Sequence, residues 1–199
     1  MSARLVLASS SRTRADMLTR AGLEFSARPA RIDEENLRAA LLEEGANARS
    51  LADVLAEQKA CKVSARCAGA LVIGSDQILE ADGRILNKPE SREAAQAQLE
   101  ALRGGTHSLI SAVVLARDGR PVWRSMDEAH LTMRDFSDSY LQDYLARNWP
   151  GLRDSVGGYK IEEEGPRLFS RIEGSYFTIL GLPLLDLLNQ LAVMNEIAA

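Results

Sequence analysis

Three pairs of an acidic residue and glycine, each lying between two short apolar runs, constrain the fold of this chain more than any other feature. Asp82-Gly83, Asp118-Gly119 and Glu173-Gly174 each predict a tight turn between antiparallel strands. Helical patterns are interleaved with these hairpins. Because a purely parallel doubly wound sheet contains no hairpins, we expect an α/β fold with a mixed twisted sheet and flanking helices.

Hydrophobic periodicity and turn residues place the individual elements. The predicted strands are Leu5–Ala8, Phe25–Arg28, Ala70–Gly74, Ile78–Ala81, Arg84–Leu86, Ser108–Ala116, Pro121–Met133, Arg167–Ile172 and Tyr176–Leu180. The predicted helices are Arg12–Ala21, a stretch from about Leu37 to Cys67 that breaks near Gly45, Glu93–Leu102, Asp138–Ala146 and one opened by Pro183. We expect residues 1–199 to form a single domain, with a cleft between two lobes near residues 30–45 and 150–165.

Charge and cysteine content restrict the class of partner. The chain has 24 Lys and Arg against 28 Asp and Glu, a net charge of −4, so its overall field does not attract a polyanion such as DNA. Cys61 and Cys67 have neither a disulfide-framework nor a metal-site spacing, and no secretory signal precedes them, so we expect reduced thiols in a cytoplasmic protein. The apolar stretch Ile179–Val193 is interrupted by polar residues and shorter than a bilayer span, so no membrane role is expected.

The stretch "LVLASSSRTRADML", residues 5–18, delivers a strand into three serines and a helix. A serine at this point can cap the helix, whose free N–H groups favour an anion. Met17, Leu18 and Ala21 mark the inward face, and one turn earlier that face reaches Thr13 and Arg14. We therefore expect Arg14 to project beyond the first turn towards a phosphate or carboxylate. The alternative is a surface arginine paired with a neighbouring carboxylate.

Carboxylates beside two predicted strands form a second group of candidates. Asp76 lies at the exit of the buried strand Ala70–Gly74, where α/β proteins commonly bind ligands. An isolated Asp there can equally cap a turn. Asp33, Glu34 and Glu35 lie between a strand and a helix, and alone they are typical of a solvated helix start.

Lysines and histidines decide what chemistry these carboxylates could support. Lys59 borders the apolar face of its helix and Lys88 follows a hairpin; alone, each is interpreted as a surface lysine. His107 and His130 are the only histidines, which excludes a histidine-rich zinc site and leaves little material for a Ser-His-Asp triad. Carboxylates, an arginine and lysines together would suit a divalent cation and a polyphosphate.

Eight segments, taken in order, resemble the Maf family of nucleoside triphosphate pyrophosphatases. They run nearly from end to end of the chain: "LASSSRTR", "RIDE", "LAEQKA", "VIGSDQ", "NKP", "GGTHSLISAV", "SVGGYKIEEEG" and "IEGSYFTILGLPL". Each segment alone is unspecific, but the ordered set is highly specific.

The resemblance implies a reaction, a cofactor and an assembly. The reaction is hydrolysis of a nucleoside triphosphate to the monophosphate and pyrophosphate, with Mg²⁺ or Mn²⁺ present and water attacking the α-phosphorus. The implied fold is like that of the inosine triphosphatase superfamily, and the implied assembly is a homodimer. Carried onto matching positions, the resemblance makes Asp76 the catalytic base and a metal ligand together with Glu34. It makes Ser9, Arg14, Lys59 and Lys88 the substrate-binding residues.

Three departures from the family pattern bear on substrate choice. Gln77 follows Asp76 where the thymidine/uridine-type members have Thr, and Glu162 stands where they have Gln; both resemble the subfamily active on 7-methyl-GTP. An ionised Glu only accepts hydrogen bonds and so suits the N1–H and N2 amine of guanine. Thr13, by contrast, replaces an aromatic residue that this subfamily often has, and with it a stacking partner for a methylated cationic base.

Three functions therefore stay open at this point. A 7-methyl-GTP-like preference is the first, and a dTTP/UTP-type pyrophosphatase is the second. The third, of another class, is a non-catalytic nucleotide- or protein-binding regulator of cell division. Asp76, Glu34, Lys59 and Lys88 together favour catalysis, because binding alone does not require both a base and a metal ligand.

Overall fold

The computed structural model describes residues 5–198 and confirms the mixed α/β fold class. The strands are β1 Leu5–Leu7, β2 Ser26–Ala27, β3 Leu71–Ala81, β4 Arg84–Leu86, β5 Thr106–Arg117, β6 Arg120–Met133 and β7 Phe169–Glu173. The helices are α1 Arg12–Arg20, α2 Glu34–Glu43, α3 Ala48–Ser64, α4 Arg92–Leu102, α5 Asp138–Asn148, α6 Tyr176–Ile179 and α7 Leu184–Val193. Short 3-10 helices span Gly151–Asp154, Val156–Gly158 and Gly165–Leu168. None of the helices in this described part is long and apolar enough to cross a membrane.

The seven strands form one mixed sheet in the order β2-β1-β3-β5-β6-β7, with β4 paired to β3. β1 is parallel to both β2 and β3, whereas β3 with β4 and β6 with β7 are antiparallel. The turns at Asp82-Gly83 and Asp118-Gly119 have positive φ at both residues, as a type I′ hairpin requires. Two of the three predicted hairpins are thus confirmed.

The chain separates into two compact units. The first contains Met1–Gln77, Ile110–Asp127 and Ser175–Ala199, and the second contains Ile78–Leu109 and Glu128–Gly174. β3, β5 and β6 each include residues of both units. The single domain with a cleft, expected from the sequence, stays a prediction.

The first unit has a hydrophobic core on each face of β1 and β3. Leu5 and Leu7 pack with α1, α7, Leu71 and Ile73 on one face. Val6 and Ala8 pack with Val63 of α3 and Val72 on the other. Successive side chains of a strand point to opposite faces, so burial of both explains the continuous apolar run in β1.

The prediction that β3 ends before Ser75-Asp76-Gln77 is wrong. The strand runs without interruption from Leu71 to Ala81, and Ser75 and Asp76 are both buried within it. The polar residues suggested an exit because the sequence does not show their partners, which come from distant segments. Ser75 donates to Gly181 O at 2.9 Å and Gln77 donates to Thr178 O at 2.9 Å.

The third predicted hairpin is also wrong. Residues 176–179 form α6 instead of a strand, and β7 pairs with the earlier strand β6. Ser175 caps α6 by accepting a hydrogen bond from Phe177 N. Tyr, Phe, Thr and Ile favour strands in isolation, but a cap and partners distant in sequence override that propensity here.

Three smaller boundaries differ from the sequence reading. α2 begins at Glu34, about three residues early, because Asp33 caps it by accepting from Asn36 N. α3 ends at Ser64, so Cys67 lies beyond the helix; both cysteines are free thiols. Ala21 is the C-cap of α1 and is exposed, so the buried residues of that helix are Met17 and Leu18.

Candidate active site

An ion cluster in the first unit brings together three of the residues singled out from the sequence. Lys59 Nζ lies 2.7 Å from Asp76 Oδ1 and 2.8 Å from Glu34 Oε2. Asp76 and Lys59 are buried, whereas the Glu34 side chain is 48% exposed. One ammonium group therefore joins a carboxylate of β3 to a carboxylate of α2 near the protein surface.

Lys59 reaches Asp76 because α3 lies directly against β3. A Cβ added at Gly74 would be 2.2 Å from Ala56 O and 2.6 Å from Ala60 N, distances that only glycine avoids. Gly74 and Asp76 are two residues apart in the strand and so share the face that α3 covers. The absence of a side chain at Gly74 thus lets the helix place Lys59 beside the carboxylate.

Asp76 keeps one carboxylate oxygen uncommitted. Within residues 5–198, Asp76 Oδ2 is buried and has no hydrogen-bond partner, and Arg38 NH2 lies 4.0 Å from it. A buried anionic oxygen without a partner is costly unless a ligand, an ion or water meets it. Arg38 is a residue that the sequence reading missed; its position one turn after Glu34 on α2 is the signal that could have found it.

The Arg14 side chain, in the first turn of α1, binds main-chain oxygens. Its Nε donates to Gly181 O at 2.8 Å and its NH1 donates to Ser75 O at 3.0 Å, on the opposite face of β3 from Lys59. Burial lowers the pKa of the Arg14 guanidinium, an effect that the charges of Asp76 and Glu34 partly offset. The side chain is thus a partly desolvated cation, tied to the backbone next to the ion cluster.

The serines before α1 organise its first turn. Ser11 caps the helix by accepting from Arg14 N, and Ser9 Oγ accepts from Ser11 N at 3.1 Å. Ser9 is buried, and Thr13 lies half-buried in the first turn of the helix. The backbone turn that these hydrogen bonds hold presents the N-terminus of a nine-residue helix.

Gln77 directs its amide hydrogens into the protein. Its Nε2 lies within hydrogen-bond distance of Thr178 O, Ile179 O and Ser111 Oγ. Ser111 also donates to Thr178 O at 2.8 Å. These contacts fix the α6 segment on the face of β3 that carries Ser75 and Gln77.

Lys88 and Glu162 belong to the second unit, whereas Glu34, Lys59 and Asp76 of the ion cluster belong to the first. Lys88 is exposed just after β4, in a turn whose Asn87 O accepts from Gln98 Nε2. Glu162 is exposed in the turn at residues 161–164. The substrate-binding role of Lys88 and the specificity role of Glu162 stay predictions.

The turn that carries Glu162 is held by Glu164, two residues later. Arg147 binds the Glu164 carboxylate through both Nε and NH2, at 3.1 and 2.7 Å. Asn148 and Arg167 also donate to it. These hydrogen bonds, with that from Arg147 largest, lower the pKa of Glu164 to about 2.

The donor set fits a divalent cation only in part. Within residues 5–198, no three His, Cys, Asp or Glu side chains are grouped so that they could hold a metal ion. Glu34 and Asp76 nevertheless bring two carboxylates to one ammonium, and Asp76 Oδ2 is unpartnered. Mg²⁺ commonly binds through one or two carboxylates, waters and substrate phosphates. The residues therefore suit a cation that shares its ligands with a phosphate.

The chain is similar to known proteins over nearly its whole length. Residues 4–194 match the family model described as Maf-like protein. The chain is 53% identical over 193 residues to the nucleoside triphosphate pyrophosphatase of Roseobacter denitrificans, with 97% of both chains covered. It is 48% identical over 191 residues to the 7-methyl-GTP pyrophosphatase of Brucella abortus, with 96% of both chains covered.

The chain is also similar to solved structures. A HAM1 protein from Coxiella burnetii matches with a TM-score of 0.42 and 18% identity, covering 67% of this chain and 74% of that one.

Proposed function

The chain belongs to the Maf-like protein family, and on that premise we propose that it is a nucleoside triphosphate pyrophosphatase. Water attacks the α-phosphorus, the bond to the β-phosphate oxygen breaks, and the products are the nucleoside monophosphate and pyrophosphate. The Asp76–Lys59–Glu34 cluster carries this proposal, because it brings a candidate base and two candidate metal-binding carboxylates together. Relatives about half identical to the chain bear the name of this activity.

Asp76 is the proposed general base. Its Oδ2 is buried and lacks a hydrogen-bond partner within the described residues, so it is able to accept the proton that the attacking water loses. Lys59 Nζ donates a charge-assisted hydrogen bond to Oδ1 at 2.7 Å. The same ammonium orients Glu34 on its other side.

Glu34 and Asp76 are also the residues that would hold Mg²⁺ or Mn²⁺, which we propose as the cofactor. When bound, such a cation neutralises phosphate charge and lowers the pKa of a coordinated water. Phosphoryl-type transfer needs placed positive charge more than covalent help. Ser9, Arg14, Lys59 and Lys88 are the proposed contributors of polar contacts and charge to the triphosphate.

Substitution of the base tests the activity directly. Pyrophosphate release from a panel of triphosphates with Mg²⁺ or Mn²⁺ is measured for the wild type and for Asp76→Asn, which keeps the shape and removes the charge. We expect kcat to fall by a factor of roughly 10² to 10⁴. Asp53→Asn is the matched control, because Asp53 pairs with Arg124 on the surface of the same unit. No release from any triphosphate, or equal release by wild type and Asp76→Asn, contradicts the proposal and favours a non-catalytic regulator.

For the base, we propose a 7-methyl-GTP-like preference, with dTTP and UTP as the alternative substrates. An exposed carboxylate at Glu162 and a relative named 7-methyl-GTP pyrophosphatase support the guanine preference. The amide of Gln77 is engaged by backbone acceptors, so in this proposal Gln77 influences the base through the α6 segment.

Glu162→Gln tests the preference. The amide can donate where the carboxylate only accepted, so kcat/KM for guanine-type triphosphates should fall relative to dTTP and UTP by about tenfold, equivalent to one good hydrogen bond. The neighbouring Glu163→Gln is the control. An unchanged order of substrates removes Glu162 from the specificity residues while leaving the activity itself in place. Dimer formation rests on the family resemblance and cytoplasmic location on the cysteine spacing, and both stay predictions.

A further inference from the structure

The Lys59 ammonium already uses most of its hydrogen-bond donors on the two carboxylates that it joins. Its ammonium has three donors, and two of them serve Asp76 and Glu34 at 2.7 and 2.8 Å. A triphosphate entering this cluster would compete with both carboxylates for the same group. A basic side chain nearby with fewer contacts would therefore add to the charge that Lys59 and a bound metal ion bring to the incoming phosphate.

Arg38 is a basic residue beside the cluster that contacts it less closely than Lys59 does. Its NH2 lies 4.0 Å from Asp76 Oδ2, which is an ion-pair distance but too long for a hydrogen bond. The side chain is only 20% exposed, so its charge is screened less than that of a surface arginine. It lies four residues after Glu34 in α2 and thus on the same face of that helix.

Resting on the function proposed above, we infer that Arg38 is a further substrate-binding residue that donates to a phosphate of the triphosphate. A guanidinium presents a planar fork that matches two phosphate oxygens, whereas an ammonium acts as a point charge. Arg14, by comparison, already uses Nε and NH1 on backbone carbonyls. Arg38 thus supplies the bidentate contact, and Lys59 keeps the carboxylates in place.

Binding of a non-hydrolysable triphosphate tests this inference without relying on turnover. An α,β-methylene nucleoside triphosphate with Mg²⁺ is titrated calorimetrically into wild type, Arg38→Gln and Arg38→Lys. Loss of a charged bidentate contact should weaken binding about 10- to 100-fold in Arg38→Gln. Arg38→Lys keeps the charge and loses the planar fork, so its affinity for the analogue should lie between those of the wild type and Arg38→Gln. Arg38→Lys also carries the test if Arg38→Gln does not fold.

Arg124→Gln is the matched control, because Arg124 in the same unit pairs with the carboxylates of Asp53 and Glu57 on α3. We expect it to bind the analogue like the wild type. Equal binding by wild type and both Arg38 variants overturns the inference, as does an equal loss in Arg124→Gln.

Kinetics separate direct contact from an effect transmitted through Asp76. A direct contact raises KM together with the dissociation constant. If Arg38 acted only on the Asp76 carboxylate, Arg38→Gln would lower kcat and shift the acidic limb of the pH–rate profile to higher pH, with analogue binding unchanged; that pattern overturns the inference. If the wild type binds the analogue but releases no pyrophosphate from any triphosphate, the proposed activity fails while the binding comparison still decides the role of Arg38.

Discussion

Gly74→Ala should damage both the stability and the ion cluster of this protein. The added Cβ would lie 2.2 Å from Ala56 O, 2.6 Å from Ala60 N and 2.7 Å from Ala60 Cβ. Two of these atoms belong to the α3 backbone, so no side-chain rotation relieves the contact. α3 must therefore move away from β3 by about 1 Å to restore normal contact distances.

The size of the effect follows from this geometry. Overpacking of a core typically costs about 1–3 kcal/mol, and a clash with backbone on both sides belongs at the upper end. For a domain of this size, that loss lowers Tm by roughly 6–12 °C. Lys59 precedes Ala60 on the displaced helix, so its 2.7 Å contact with Asp76 should lengthen and catalysis should fall as well.

Thermal unfolding and pyrophosphate release of the same preparation measure the two effects. Gly151→Ala is the control, because a Cβ there would meet nothing within 4 Å; its Tm should change by less than about 2 °C. A Gly74→Ala protein with the Tm and the activity of the wild type would refute the reasoning, because it would mean that α3 does not depend on glycine at this position.

Two further predictions concern the second unit. Burial lowers the pKa of His107 to about 4, so the neutral ring is favoured in the folded state; stability should be intact above pH 6.5 and decline by up to about 3 kcal/mol as the pH falls towards 4. Urea unfolding at several pH values, compared with His107→Gln, checks this, and an identical pH dependence in both contradicts it. Glu164→Gln weakens the hydrogen bonds that the carboxylate accepts from Arg147 and Asn148, and should lower the free energy of unfolding in urea by about 1–2 kcal/mol. Glu163→Gln loses one exposed ion pair with Lys160 and should lower it by under about 0.5 kcal/mol. Equal losses in the two variants would contradict the assigned role of Glu164.

Local patterns predicted the elements whose determinants are local. The opening strand and helix follow from a short apolar run and a serine cap, and the hairpins at Asp82-Gly83 and Asp118-Gly119 follow from residues that accept positive φ. α6 could not be predicted in this way, because its composition favours a strand while its carbonyls are bound by side chains more than 60 residues away in the sequence.

The contacts of the candidate site, like α6, could not be predicted from local sequence patterns. Nothing in the spacing of Glu34, Lys59 and Asp76 indicates that they meet, because the close approach of α3 to β3 that joins them depends on Gly74. Family resemblance selected all three residues, and the structure adds their contacts. Arg38 escaped notice because α2 contains no buried residue and therefore gives no apolar face from which an inward position could be recognised.

The contacts that hold the segment from Thr178 to Gly181 have an unusual consequence for substitution. Arg14, Ser75, Gln77 and Ser111 all donate to its main-chain oxygens, and every amino acid supplies the same oxygen. A mutational scan of the chain should therefore find these four donors intolerant at positions scattered over the sequence. Within the segment, Gly181 is constrained by its positive φ and Thr178 by its burial. An inserted or deleted residue, which shifts every acceptor out of register at once, should be the least tolerated change.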